Sequence, residues 1–323
     1  MSNYSFVTAA DCRKCLTYPS KTIETSIGSI EYADRGEGPV LLSAHGSPGG
    51  YDQGLAMAEV FRKNGYRIIS PSRPGYLGSD VSLGESVEAQ GDALAALLEA
   101  LDIPHAIALG TSGGGPPTYQ LAERHPDKVK ALIEIDSITL KYDISKDLSK
   151  VSEFIYLSNV GVWLSTFLMK HFPKSVIKQF LETESSLDQH EIGERVKEIM
   201  NDDDRFAFIN TLFATMYRNW SERKHGFEND MKTMNVHEKL PLSNIACPSL
   251  IMHGENDADL PDTHSKYACS TIETSELYYI KGGSHVGFWL ADSARESQTY
   301  ALNWLSHNTA LRQTPDSYAV PAK

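Results

Sequence analysis

Cysteine is scarce in this chain: Cys12, Cys15, Cys247 and Cys269 are the only four in 323 residues. That number and scatter exclude a disulfide scaffold and make reduced thiols the expectation. Cys12 and Cys15 have the spacing of a redox or zinc pair. No second such pair and no pair of histidines lies near them, so no metal or redox role is assigned. Grouped positive charge is also lacking. With 30 Lys and Arg against 42 Asp and Glu, the formal net charge is −12. Binding to nucleic acid or anionic lipid, which depends on clustered Lys and Arg, is therefore not expected. Long apolar runs are missing too. The uncharged stretch 154–169 is shorter than a bilayer span and is diluted by Ser158, Asn159, Gly161, Ser165 and Thr166. The first fifteen residues carry neither the basic nor the apolar region of a secretory signal. A cytoplasmic protein without an integral membrane segment is expected.

What is present is an alternation. Short runs rich in Val, Ile and Leu occur at 40–45, 66–70, 105–110, 129–136, 248–254 and 276–280. Runs of this kind suit parallel strands covered on both faces. Helical patterns separate them, such as 87–102 with Leu94, Leu97, Leu98 and Leu101 on one side. Residues 21–38 alternate around Gly28 and predict an antiparallel hairpin at the sheet edge. The alternation stops near Ser137 and resumes near Leu242, across a helix-like, aromatic stretch too long for a loop. The expected organisation is an α/β core of residues 22–136 and 241–308, with a mostly parallel, doubly wound sheet. A helical cap is inserted at 137–240, and 1–21 and 309–323 are terminal extensions.

Gly110-Thr111-Ser112-Gly113-Gly114 lies between a predicted strand and a predicted helix. A serine presented on a sharp strand-to-helix turn needs small neighbours, because a Cβ beside it would strike the adjacent backbone. The turn also places Ser112 Oγ at a helix N-terminus, where free N–H groups favour developing negative charge. A plain glycine-rich turn would look the same locally; the other loops decide between the two. Ser47, in the loop 43–50 after a central strand, and Gly113 are the backbone N–H donors expected for an oxyanion. Asp257 follows the strand 248–254, and His285 sits in a glycine-rich loop after the next strand. Asp136 and Asp259 are alternatives for the acid.

In this order the segments HGSPGG, SRPGYLGSD, GTSGGG, CPSLIMHGENDADLP and GGSHVGFW resemble the successive signatures of an α/β-hydrolase over roughly residues 22 to 308. The resemblance implies Ser112 as nucleophile, His285 as general base and acid, Asp257 as the acid member and an oxyanion hole at Ser47 and Gly113. HGSPGG is also similar to proline iminopeptidases, but those enzymes usually carry Trp where Gly113 stands. Epoxide hydrolases and haloalkane dehalogenases use an Asp nucleophile, so Ser112 counts against both.

Such a set performs acyl transfer without metal or cofactor. The cap aromatics, with Trp163 and Phe167 expected to bind substrate, favour a small-molecule ester or lactone with an apolar part. Two other classes stay open. A peptidase would need a cap carboxylate for the substrate amine, with Glu182, Glu184 and Asp202 to Asp204 available. A non-enzymatic receptor on the same fold would not need an intact triad.

Overall fold

A computed structural model describes residues 4–143 and 158–310. The strands β1 (Lys21–Thr25), β2 (Gly28–Arg35), β3 (Val40–Ala44), β4 (Arg67–Pro71), β5 (Ala106–Thr111), β6 (Val129–Ile135), β7 (Ser249–Gly254) and β8 (Ser275–Ile280) form one sheet. Their order is β1-β2-β4-β3-β5-β6-β7-β8. The hairpin β1–β2 is antiparallel and joins β4 antiparallel, while every pair from β4 to β8 is parallel. The predicted α/β class and mixed sheet are what the structure shows.

Successive strand residues face opposite layers, as the period of two requires. Leu41, Ile68, Ile107 and Leu109 pack into one core, together with α2 (Tyr51–Lys63) and α11 (Ala294–Ala310). Leu42, Ile69 and Ala108 pack into the other, with α3 (Val87–Ala100), α4 (Gly115–Arg124) and α10 (Thr263–Thr271). Strand residues such as Leu41, Leu42, Ile68 and Ile69 are fully buried, and each contributes about 1.5–3 kcal/mol of transfer free energy. That two-sided burial is why these strands read as unbroken apolar runs.

The N-terminal stretch, expected only as an extension, contains α1 (Ala9–Thr17), opened by a capping box between Thr8 and Asp11. Cys12 and Cys15 are buried on this helix. Burial, reinforced by nearby carboxylates, pushes both thiols up to about 12. They are held as neutral packing groups, with Arg35 donating to Cys15 Sγ.

Between β6 and β7 lie α5 (Asn159–His171), α6 (Pro173–Glu184), α7 (Gln189–Asn201), α8 (Asp203–Tyr217) and α9 (Trp220–Thr233). Many aromatics of this insertion pack against the core: Phe208 stacks on Trp289 at 5.6 Å, and Tyr217, Trp220 and Phe227 are buried. Residues 154–157 of the uncharged run, and the C-terminal tail beyond 310, lie outside the described residues. Among the described residues no helix is long and apolar enough to cross a membrane.

Candidate active site

The parallel strands end on one side of the sheet, and the loops that carry Ser47, Ser112, Asp257 and His285 follow β3, β5, β7 and β8 there. β5 runs into a tight turn, Ser112–Gly114, before α4. Ser112 adopts φ +53°, the left-handed region that costs a non-glycine residue energy and is seen where surrounding structure enforces it. The glycines make that enforcement possible. A Cβ at Gly114 would collide with the carbonyls of Ala44 and His45, and one at Gly110 with Thr118 and Glu134. A Cβ at Gly113 would come within 2.8 Å of both Ser47 Cβ and Met234 Cε.

β3 pairs with β5 through Ala44 and Gly110, so the loop after β3 starts beside the nucleophile turn. Ser47, joined to Pro48 by a cis peptide, lies close enough that its backbone N would be 3.4 Å from a Cβ on Gly113. Two backbone N–H groups thus flank Ser112. That of Gly113 is in the first turn of a helix, where amides have no intrahelical acceptor.

His285 Nδ1 lies 2.8 Å from Asp257 Oδ2. The other oxygen, Asp257 Oδ1, accepts from the N–H groups of Asp259 and Leu260, both at 2.9 Å. The Asp257 side chain is fully buried. Burial alone would raise its pKa, but the adjacent imidazole and these hydrogen bonds outweigh burial and hold it below the usual carboxylate range. His285 is affected in the mirror sense. Burial opposes its charge, yet Asp257 and Asp259 overcome that and hold it well above 6.5.

Asp136, the alternative acid, directly follows β6 with φ +46° and is fully buried. Its Oδ1 accepts from Gly254 N at 2.8 Å. Burial first, and then the charge of Asp257, push its carboxyl well above the usual range, which disfavours its charged form. Asp259 sits on the other side of the histidine: its Oδ2 is 3.4 Å from His285 Nε2, and Tyr142 donates to its Oδ1 at 2.8 Å. Among the described residues Ser112 Oγ makes no hydrogen bond, so Nε2 faces Asp259 in this state. Such contacts commonly tighten only around substrate.

The end of α6 docks onto the same loops. His285 N donates to Glu184 O, Ser186 N donates to Asn256 O, and Ser185 bridges Asp257. The Glu184 carboxyl belongs to the cluster with Asp259 and His285, whose ligand atoms lie within 4.8 Å of one another. Burial, with Asp259 adding to it, lifts this carboxyl to about 8. Trp163 and Phe167 are placed differently. They stack on each other at 5.6 Å and are 64% and 40% exposed, beside Val160 and Leu164. The structure sets them on an open face of α5 rather than in a buried lining.

Residues 39–292 match the alpha/beta hydrolase fold family. The chain belongs to that family. As an α/β-hydrolase it is similar to the uncharacterized hydrolase YcgS of Bacillus subtilis (strain 168). That similarity is 27% identity over 292 residues, 88% of this chain and 98% of the relative. It is 24% identical over 320 residues to a 2-hydroxy-6-oxononadienedioate/2-hydroxy-6-oxononatrienedioate hydrolase of Paraburkholderia xenovorans (strain LB400), covering 95% and 99% of the two chains. Among solved structures, an alpha/beta hydrolase fold protein from Nakamurella multipartita superposes with TM-score 0.84 at 33% identity. The match covers 90% of this chain and all of that one.

Proposed function

We infer that this α/β-hydrolase cleaves an uncharged carboxylic ester or lactone through an acyl-enzyme on Ser112. The observation that carries the reading is the strained Ser112 turn, held between the Ser47 and Gly113 amides on the side of the sheet where Asp257 grips His285. In the first step neutral His285 takes the proton of Ser112 Oγ as Oγ bonds to the acyl carbon. The carbonyl oxygen, now an anion, is held by the N–H groups of Ser47 and Gly113. His285 then passes the proton to the leaving alkoxide oxygen, and the C–O bond breaks. Water, deprotonated by the same histidine, attacks the acyl-enzyme and releases the acid with Ser112 restored.

The charge around the site supports an uncharged substrate. Asp257 and Asp259 lie on either side of one histidine, 2.8 Å from Nδ1 and 3.4 Å from Nε2. A dianionic substrate of the kind for which the Paraburkholderia xenovorans relative is named would meet repulsion there. The second reading is an aminopeptidase, with the Glu184 and Asp259 carboxyls receiving a substrate ammonium. The docking of Glu184 beside His285 favours it. A screen of purified protein against neutral esters, lactones and proline amides separates the two. Turnover of esters or lactones is the expected result, and cleavage confined to the amides overturns it.

The histidine sets the pH dependence. An imidazolium cannot accept the Ser112 proton, so kcat/KM for a neutral ester should rise with pH, with a midpoint above 6.5. The ion pair's contribution to stability runs the other way. Because the folded value is raised, that contribution is complete below 6.5 and is lost as pH climbs through the folded value. The groups facing His285 are Asp257 and Asp259 after β7, Glu184 from α6, Asp136 from β6 and His253 from β7. Asp259→Asn removes one of the anions, so its acid limb should move down toward 6.5. A wild-type midpoint at or below 6.5 contradicts this account.

A further inference from the structure

The loop carrying Ser47 is gripped from behind by a residue to which the mechanism above gives no part. Arg73, from the SRPGYLGSD segment, has a fully buried side chain. All five of its guanidinium N–H groups are used. Nε donates to His45 O at 3.0 Å and Nη2 to Gly46 O at 3.0 Å. Nη1 donates to Gln90 Oε1 at 3.1 Å, and the two outer nitrogens fork onto Asp230 at 2.7 and 2.6 Å. Asp230 lies on α9 of the inserted helices and also accepts from Tyr76 OH at 2.5 Å. Tyr76 OH in turn stands 3.1 Å from Ser47 Oγ, and its ring packs edge-on against His45.

These bonds act on one peptide plane. The Gly46 carbonyl receives Arg73 Nη2, and His45 Nδ1 lies 2.8 Å from the same oxygen. His45 is fully buried. Desolvation, with Arg73 adding to it, holds its imidazole well below 6.5 and therefore neutral. With Nε2 accepting from Arg73 N at 3.0 Å, the ring proton is on Nδ1 and points at Gly46 O. A trans peptide is planar, with C=O and N–H on opposite edges. Two donors holding Gly46 O therefore aim the N–H of Ser47 the opposite way. A full positive charge at the carbonyl also polarises the amide and makes that N–H a stronger donor.

We propose that Arg73, anchored from the inserted helices by Asp230, is the positioning residue that orients and strengthens the Ser47 N–H of the oxyanion hole. Arg223, seven residues before Asp230 on α9, holds the same loop by donating to Gly49 O at 2.7 Å. Gln53 holds it from α2, accepting from Gly46 N and donating to Pro48 O. The oxyanion donor is thus coupled to the inserted helices at two points two turns apart. The proposal rests on the hydrolase reading, since it concerns a hole that reading requires.

Arg73→Lys keeps a buried cation but cannot fork between Asp230 and two carbonyls. On a neutral p-nitrophenyl ester, kcat per fluorophosphonate-labelled serine should fall about tenfold with KM unchanged, less than the loss on deleting an oxyanion donor outright. An arylboronic acid, which forms a tetrahedral adduct, should lose affinity by the same factor, while a product carboxylate should bind as before. A merely structural role would lower the fraction of protein that labels and leave these ratios in place. If Arg73→Lys fails to fold, Asp230→Asn, which keeps the anchor's shape and removes its charge, should show the same parallel loss on a smaller scale. Wild-type kcat and boronate affinity in either folded variant overturn the proposal. A wild-type protein that neither hydrolyses the ester nor binds the boronate removes the hydrolase reading instead.

Discussion

Ser112→Ala should lower kcat on any ester substrate by on the order of 10⁶ and abolish labelling by a fluorophosphonate. The magnitude follows from the division of labour at the site. Without Oγ no acyl-enzyme can form, and His285 and the two backbone amides are left with only water to activate and a carbonyl to polarise. The fold should be undisturbed. Ser112 is partly exposed, and Oγ makes no hydrogen bond among the described residues. The change removes one hydroxyl from a turn whose left-handed φ is enforced by its surroundings. Thermal unfolding should therefore change little while activity vanishes. The measurement is single-turnover hydrolysis with labelling on folded protein, and labelling that persists in the variant places the nucleophile elsewhere.

Asp257→Asn should lower kcat by on the order of 10³ to 10⁴, because an amide facing Nδ1 offers an N–H and favours the wrong imidazole tautomer. The same substitution at Asp136 should leave kcat within a few-fold of wild type. Burial and the nearby Asp257 push the Asp136 carboxyl well above the usual range and disfavour its charge, so a neutral amide changes less there than at Asp257. Asp257, by contrast, is ionised, and its Oδ1 is committed to two backbone N–H groups. The pair of variants discriminates sharply. Near-normal turnover in Asp257→Asn together with loss in Asp136→Asn would transfer the acid's role to the end of β6 and leave Ser112 and His285 in place.

The loops proposed to carry chemistry were legible because their signals are local. Ser112 between glycines, Ser47 after β3, Asp257 after β7 and His285 after β8 each sit at a strand end that the apolar pattern marks within a residue or two. α1 was missed because nine residues with a short capping box and two cysteines carry no strong helical period. Trp163 and Phe167 show the opposite failure. Aromatic composition suggested a lining, but composition does not say which side of a helix faces inward, and α5 turns these rings outward.

What the chain determines by itself is its class, the order of its strand-end loops and the strained turn at Ser112. These depend on residue periodicity and on glycines needed within a few positions. Only the tertiary structure decided which acid meets which nitrogen of His285, how Glu184 arrives beside it from α6, and how burial disfavours the charge of Asp136. It alone joined Arg73 to Asp230 across 157 positions of sequence. Such pairings depend on the path of the inserted helices over the sheet and on how completely each charge is removed from water. No local pattern encodes either quantity.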